Sequence, residues 1–269
     1  MARSARTALL RAFGPIERVL RRPGKRELPP LWLRRHAGPV EKFSRSAAES
    51  MSLIRALSLV GTNSLVLDLG CGPGAMAVEL QTELGPNGAY VGVDVHAASI
   101  RWCRGRFGGD GRFRFELAPI DTPYSRGAPG NACEFRFPVE DGSCDFVVAK
   151  SLFTHLLEPE AGSYLREIGR ALSPSGRAMV TVFAFDPRLR TPAFPFGTES
   201  SSIRWKVQNR PQAAVAYSRT DFEDLISQAG LRIERRIDGF YPGTSRIPAG
   251  QDTYILGRGP APDTAASGT

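Results

Sequence analysis

Apolar positions change period along the chain, and the changes mark its elements. Phe43, Ala47, Met51, Ile54 and Leu57 recur at three- and four-residue steps, which predicts a helix over 40–60. Leu65-Val66-Leu67-Asp68-Leu69 is a short apolar strand that runs into Gly70-Cys71-Gly72-Pro73-Gly74, and a helix of about ten residues then reaches Leu84 before Gly85-Pro86. Ala89–Asp94 reads as a strand, Ala97–Arg106 as a helix and Phe113–Leu117 as a strand. The stretch 118–141 is rich in Pro and Gly and reads as a surface loop. Asp145–Ala149 is an apolar strand, Glu160–Leu172 a helix stopped by Ser173-Pro174-Ser175-Gly176, and Ala178–Phe185 a strand. Residues 187–218, with four prolines, read as an insertion. Thr220 and Glu223 form a capping box for a helix ended by Gly230. Leu231–Ile237 and Thr253–Leu256 are two last strands with no room for a helix between them.

Buried strands alternating with helices predict a parallel sheet covered on both faces. The last two strands should pair antiparallel at one edge. The expected class is α/β, Rossmann-like and doubly wound, with a seven-stranded, mostly parallel sheet and an antiparallel last pair. The expected domains are a basic arm at 1–37, a domain at 38–258 that includes the 187–218 insertion, and a disordered small-residue tail at 259–269.

At 269 residues the chain can bury a core without staples, and its 42% hydrophobic and 23% charged content is that of a globular protein. It has no apolar run long enough for a transmembrane helix. Four cysteines, Cys71, Cys103, Cys133 and Cys144, make no C-x-x-C, so a reducing cytoplasm is the simplest location and no metal site is expected. The pI near 9.7 comes from one end. Residues 1–60 hold thirteen of the 35 basic residues and four of the 27 acidic ones, leaving 22 and 23 in the rest. Leu9, Leu10, Phe13, Ile16, Val19 and Leu20 among those arginines fit an interfacial amphipathic helix, interrupted by Gly14-Pro15. A solvated arm, a targeting segment, peripheral membrane contact and nucleic-acid contact all remain open for it.

In an open parallel sheet, ligands bind at the carboxyl ends of the strands. The glycines of 70–74 stand at such an end, where a backbone without Cβ atoms admits close approach and a helix start offers N–H groups. Asp94 ends the next strand, 24 residues past Gly70, where a carboxylate can accept two ribose hydroxyls. Gly70-x-Gly72-x-x-Ala75 also satisfies a relaxed dinucleotide fingerprint. Asp68 argues against that reading, because a carboxylate before the turn repels a pyrophosphate and suits an ammonium or sulfonium group.

Several motifs in order carry a resemblance to class I S-adenosylmethionine-dependent methyltransferases. Val66–Gly74 resembles their nucleotide-binding motif, and Asp94 the acidic residue of their second motif. Phe137–Val148, with Asp141-Gly142-Ser143-Cys144-Asp145-Phe146, resembles their approach to the fourth strand, and Arg166–Gly176 their turn before the fifth. Ser151–Leu156, Ala213–Tyr217 and Gln251-Asp252 are similar to a bacterial subgroup of small type 11/12-like methyltransferase-domain proteins.

The resemblance implies that S-adenosylmethionine is the cofactor. It further implies that Gly70, Gly72 and Gly74 shape the loop around it, with Leu69, Cys71 and Val95 beside them. Asp68 would hold the amino group and Asp94 the ribose. Asp121 is the nearest acidic residue for the adenine, and Lys150 and Ser151 bring backbone carbonyls to the methionine amino group.

The expected reaction is methyl transfer to O or N of a small-molecule acceptor. His155, just past the fourth strand, is the best-placed general base, or else a structural histidine. Lys150-Ser151-Leu152-Phe153 does not resemble the Asn/Asp-Pro-Pro-Tyr of base-flipping amino methyltransferases, and there is no Pro-Cys. Phe194, Trp205 and Tyr217 are expected to line an acceptor pocket. The alternatives are an RNA or protein methyltransferase that uses the basic arm, and a non-catalytic cofactor-binding protein.

Overall fold

A computed structural model describes residues 28–36, 43–186, 198–199, 203–207, 209–239 and 251–259. The arm up to residue 27, the tail from 260 and Phe194 lie outside them. The chain divides into two compact units. One comprises Met1–Asn63 and Cys71–Ala118, the other Ser64–Gly70 and Pro119–Thr269.

The first unit begins with the helices Leu31–His36 (α1) and Phe43–Ala56 (α2). α2 buries Phe43, Ala47, Met51 and Ile54, the face the periodicity marks out. Strands Ala89–Asp94 (β2) and Phe113–Leu117 (β3) run parallel, joined through the helix Ala97–Phe107 (α4). Tyr90, Phe107, Phe113 and Phe115 pack their rings at 5.1–5.5 Å between centroids, in the range where aromatic pairs attract.

The helix after the glycine turn is shorter than its pattern predicts. It spans Ala75–Leu80 (α3) rather than reaching Leu84. The reason lies across the unit. The Arg112 guanidinium donates to the carbonyls of Gln81, Leu84 and Gly85 while its other face holds Asp110 at 2.7 Å. Carbonyls that a further turn would have paired along the axis are satisfied sideways instead.

In the second unit, Leu65–Leu69 (β1), Cys144–Ala149 (β4) and Leu172–Phe185 (β5) pair in parallel, in the order β1-β4-β5. The helix Glu158–Ala171 (α5) joins the last two and turns directly into β5. The Ser173–Gly176 segment, expected as a loop, is an excursion within β5: the β4 register jumps from Cys144↔Leu172 to Phe146↔Arg177. A Cβ on Gly176 would lie 2.5 Å from the Cys144 carbonyl oxygen, so this crossing needs glycine. Phe146, Val147, Val148, Leu165, Ile168, Val180 and Val182 form the core here.

The segment read as an insertion is partly sheet. Thr198–Glu199 (β6), Ile203–Trp205 (β7) and Val215–Ser218 (β8) form antiparallel pairs, and β8 runs parallel to the last residues of β5. The described strands thus number ten where seven were expected. Helix Arg219–Gln228 (α6) follows, then Leu231–Ile237 (β9) and Asp252–Arg258 (β10), antiparallel to each other, with β10 antiparallel to β5 as expected. β9 exposes Arg232–Arg236 and carries ion pairs: Glu234 with Arg177 and Arg232, and Arg236 with Glu223 and Asp238.

The loop before β4 is held by one side chain. All five N–H donors of Arg170 on α5 are used: on both Glu167 oxygens (2.7 and 2.8 Å), on Asp141 Oδ1 (2.7 Å) and on the carbonyls of Phe137 and Val139 (3.1 Å each). Glu167 Oε2 in turn accepts the Phe137 N–H at 2.9 Å.

Candidate functional site

The first unit carries the turn that leaves the strand end. Gly72 and Gly74 have φ of 52° and 82°, the left-handed region that side chains resist. At Gly74 a Cβ would meet Cys103 Sγ at 3.1 Å and Phe107 at 3.2 Å, so α4 closes the space from behind. The turn is fastened to β2: Cys71 N–H donates to the Val93 carbonyl at 3.0 Å, and Gly72 N–H donates to Asp94 Oδ2 at 2.7 Å. Asp94 Oδ1 accepts from His96 N–H, also at 2.7 Å.

Burial pushes the Asp94 pKa up, opposed by the N–H donors of His96, Gly72 and Val95. A carboxylate has about four acceptor positions, and the N–H groups of Gly72, His96 and Val95 draw on them. Asp94 is half-buried, so what remains can meet a ribose hydroxyl. A glycine-rich turn clasped to such a carboxylate fits an adenosyl ligand. Cys71 is buried, its thiol on the Gly72 carbonyl, as a small loop residue would be.

The second unit brings several expected residues to the carboxyl end of β4. Asp68 is 2% exposed on β1, followed by Leu69 and by Gly70 at φ 74°. Lys150 and Ser151 leave β4 half-buried. Ser151 has φ 58°, unusual for a residue other than glycine. Its N–H donates to Thr181 Oγ1 on β5 at 2.7 Å, and its carbonyl accepts Thr154 Oγ1 at 2.6 Å. These bonds set the turn that ends in His155, whose own N–H donates to the Leu152 carbonyl at 2.9 Å.

His155 Nδ1 lies 2.9 Å from the Gln212 carbonyl and 3.2 Å from the Tyr124 hydroxyl, whose ring meets the imidazole edge-on at 5.3 Å. A carbonyl only accepts, so Nδ1 carries the hydrogen and the Nε2 lone pair is left for a proton. Burial lowers the His155 pKa, against the pull of the Gln212 carbonyl, and this favours the neutral ring.

Other expectations are placed differently. Asp121 is exposed, and its carboxylate organises its own loop by accepting the Gly127 N–H at 2.9 Å. Tyr217 on β8 is fully buried and its hydroxyl donates to the Leu156 carbonyl at 2.6 Å; it is core, not pocket lining, because the supposed insertion is a sheet strand here. Trp205 is half-buried on β7, and its indole N–H has no partner among the described residues. Tyr124, Gln212 and Thr181 were not legible as site residues, because they reach the β4 turn only through contacts 30 to 57 positions apart.

The comparisons agree with this geometry. Residues 66–176 match the protein family described as "Methyltransferase domain". That stretch is similar to methyltransferase domains and makes up less than half of the chain. The ubiquinone/menaquinone biosynthesis C-methyltransferase UbiE of Geobacter sulfurreducens is 30% identical over 128 residues, 46% of this chain and 43% of that protein. The chain spans less than half the length of the curated relatives it matches.

Among solved structures, an S-adenosylmethionine-dependent methyltransferase from Clostridium acetobutylicum superposes with a TM-score of 0.56 at 13% identity, covering 93% of this chain and 98% of that one. Geranyl diphosphate methyltransferase in complex with S-adenosylmethionine gives 0.57 at 18% identity, covering 79% and 85%. At these identities the likeness is one of fold. No helix among the described residues is long and apolar enough to cross a membrane.

Thiol reactivity checks the burial around this domain. Cys133 is exposed, whereas Cys71, Cys103 and Cys144 are buried, and burial pushes the Cys144 thiol up to about 11. A maleimide should label one thiol of the native protein and all four after denaturation, counted by intact mass. Rapid labelling of Cys71 in the native state would show that the glycine turn is open from behind.

Proposed function

We propose that this chain is a methyltransferase acting on an oxygen or nitrogen of a small-molecule acceptor, with His155 as general base. S-adenosylmethionine supplies an electrophilic methyl group on a sulfonium: the acceptor atom bonds to that carbon as the carbon–sulfur bond breaks and its electron pair stays on sulfur. The chain's residues bind, orient and deprotonate. Asp94 accepts a ribose hydroxyl, and the turn at Gly70, Gly72 and Gly74, with Leu69, Cys71 and Val95 beside it, leaves room for the nucleoside. Asp68 and the carbonyls of Lys150 and Ser151 take the amino group. Asp121 borders the adenine through its loop, and Trp205 and Phe194 border the acceptor; Phe194 lies outside the described residues.

The observation that carries this reading is the His155 ring. It has a fixed tautomer, is held neutral, and stands one short turn past the end of β4. An acceptor O–H or N–H can pass its proton to Nε2 as the new bond forms.

Calorimetric titration with S-adenosylmethionine is the direct test. The wild type should bind, and Asp94→Ala should bind about 1–3 kcal/mol more weakly, through loss of charge-assisted hydrogen bonds. Unchanged affinity in the variant would remove the ribose role, and no binding by the wild type would remove the function.

A further inference from the structure

Three residues far apart in sequence meet at the carboxyl edge of the second unit. Gln251, just before β10, places its side-chain Oε1 2.6 Å from Thr181 Oγ1 and 3.2 Å from Ser151 Oγ. The Thr181 hydroxyl accepts the Ser151 N–H and donates its own hydrogen to the amide oxygen, which also accepts from Ser151 Oγ. In this arrangement the Gln251 amide turns its oxygen to the two hydroxyls. Its oxygen is consumed by two hydroxyls, and its NH2 group has no partner among the described residues.

The main chain is equally fixed. Asp252 is 0% exposed, pairs across Val182 in β5, and accepts the Gly239 N–H at 2.6 Å and Arg219 at 3.4 Å. Gly239 packs so closely on the Gln251 backbone that a Cβ there would lie 2.4 Å from it. A half-buried amide held at both ends, beside a Ser151 kept in the left-handed region, is a pre-organised donor pair. It stands at the strand edge where sheets of this class take ligands.

We propose that Gln251 presents its Nε2 hydrogens to a carbonyl or carboxylate oxygen of the methyl acceptor, and so selects acceptors that carry such an oxygen near the methylated atom. The inference rests on the methyltransferase reading above and deepens it. A neutral donor pair whose own oxygen is unavailable rewards an acceptor oxygen and offers nothing to an ammonium group. Ser151 and Thr181 act through Gln251 and are positioning residues.

The test uses the full chain saturated with S-adenosylhomocysteine and titrated with benzoate, benzamide and benzylamine as probes. The wild type should bind benzoate and benzamide and ignore benzylamine. Gln251→Leu should lose about tenfold or more for both. Gln251→Glu separates the two roles. Its carboxylate still accepts both hydroxyls and so keeps the Ser151 turn, but it has no donors and repels benzoate. Gln251→Glu should keep the wild-type melting temperature within a few degrees and the wild-type affinity for S-adenosylhomocysteine.

Benzoate binding by Gln251→Glu equal to wild type, or no binding of benzoate and benzamide by the wild type, overturns the proposal. Failure of the wild type to bind S-adenosylhomocysteine overturns the methyltransferase reading itself. If Gln251→Leu unfolds, Gln251→Glu alone decides.

Discussion

Replacing His155 with glutamine lowers methyl transfer about 10²- to 10⁴-fold while S-adenosylmethionine affinity stays at the wild-type value. The split follows from the geometry. The imidazole is anchored through Nδ1 to the Gln212 carbonyl and flanked by Tyr124, which leaves Nε2 to take the acceptor's proton in the proposed reaction. Radiolabelled cofactor with a screen of small acceptors measures turnover, and calorimetry measures affinity.

The pH profile has a definite sign. Burial places the folded-state pKa of His155 below the ordinary value near 6.5, so the base form persists into mildly acidic solution. The acid limb of kcat should therefore fall below that ordinary value and vanish in His155→Gln. The same depression makes the stability contribution of this ring fully present above the ordinary value and lost as pH falls through the folded one. Wild-type turnover by the variant across the pH range removes the base.

Arg170→Ala is expected to cost about 2–4 kcal/mol of stability, a fall in melting temperature of roughly 5–15 °C by calorimetry. The side chain is 13% exposed and spends every donor it has. Its loss strands the Val139 carbonyl, takes one of two donors from the Phe137 carbonyl and leaves Glu167 without its counter-ion. Arg170→Lys recovers little, because an ammonium cannot span both the carboxylate and the carbonyls.

The clasp is sensitive to acid. Burial would raise the Glu167 pKa, but Arg170 and the Phe137 N–H outweigh it and hold the carboxyl below its usual range; Asp141 is lowered chiefly by its bond to Arg170. Both are depressed, so their contribution is present above the ordinary carboxylate range and lost as pH falls through the folded values. The stability difference between wild type and Arg170→Ala should shrink below pH 4. A difference that is the same at pH 7 and pH 3 would assign the cost to packing alone.

Many local signals in the sequence were read correctly, but the Thr220–Glu223 capping box was not. The helix starts at Arg219 after Ser218, and the Glu223 carboxylate is taken by Arg236 and Tyr254. The β1 strand, the glycine turn and β2 ending at Asp94 are contiguous patterns of apolar residues and backbone-permissive ones, and they fall where the pattern puts them. The antiparallel final pair followed from the missing crossover. What the sequence concealed came from distant partners. Arg112 stops α3 early from some thirty positions away. Val215–Ser218, lodged among prolines, forms a strand only because the end of β5 offers it a ladder. The Ser151–Thr181–Gln251 meeting joins positions 30 to 100 apart, which no spacing rule reaches.

The charged face of β9 bears on how copies of this chain behave in concentrated solution. An outer strand whose backbone is free on one side invites a second molecule to dock and start a fibril. Here an incoming strand would have to pass the Arg232–Glu234 and Arg236–Glu223 pairs and disturb them, while bringing its own identical charges into register. Those pairs do little for stability one by one; their value is as gatekeepers against aggregation.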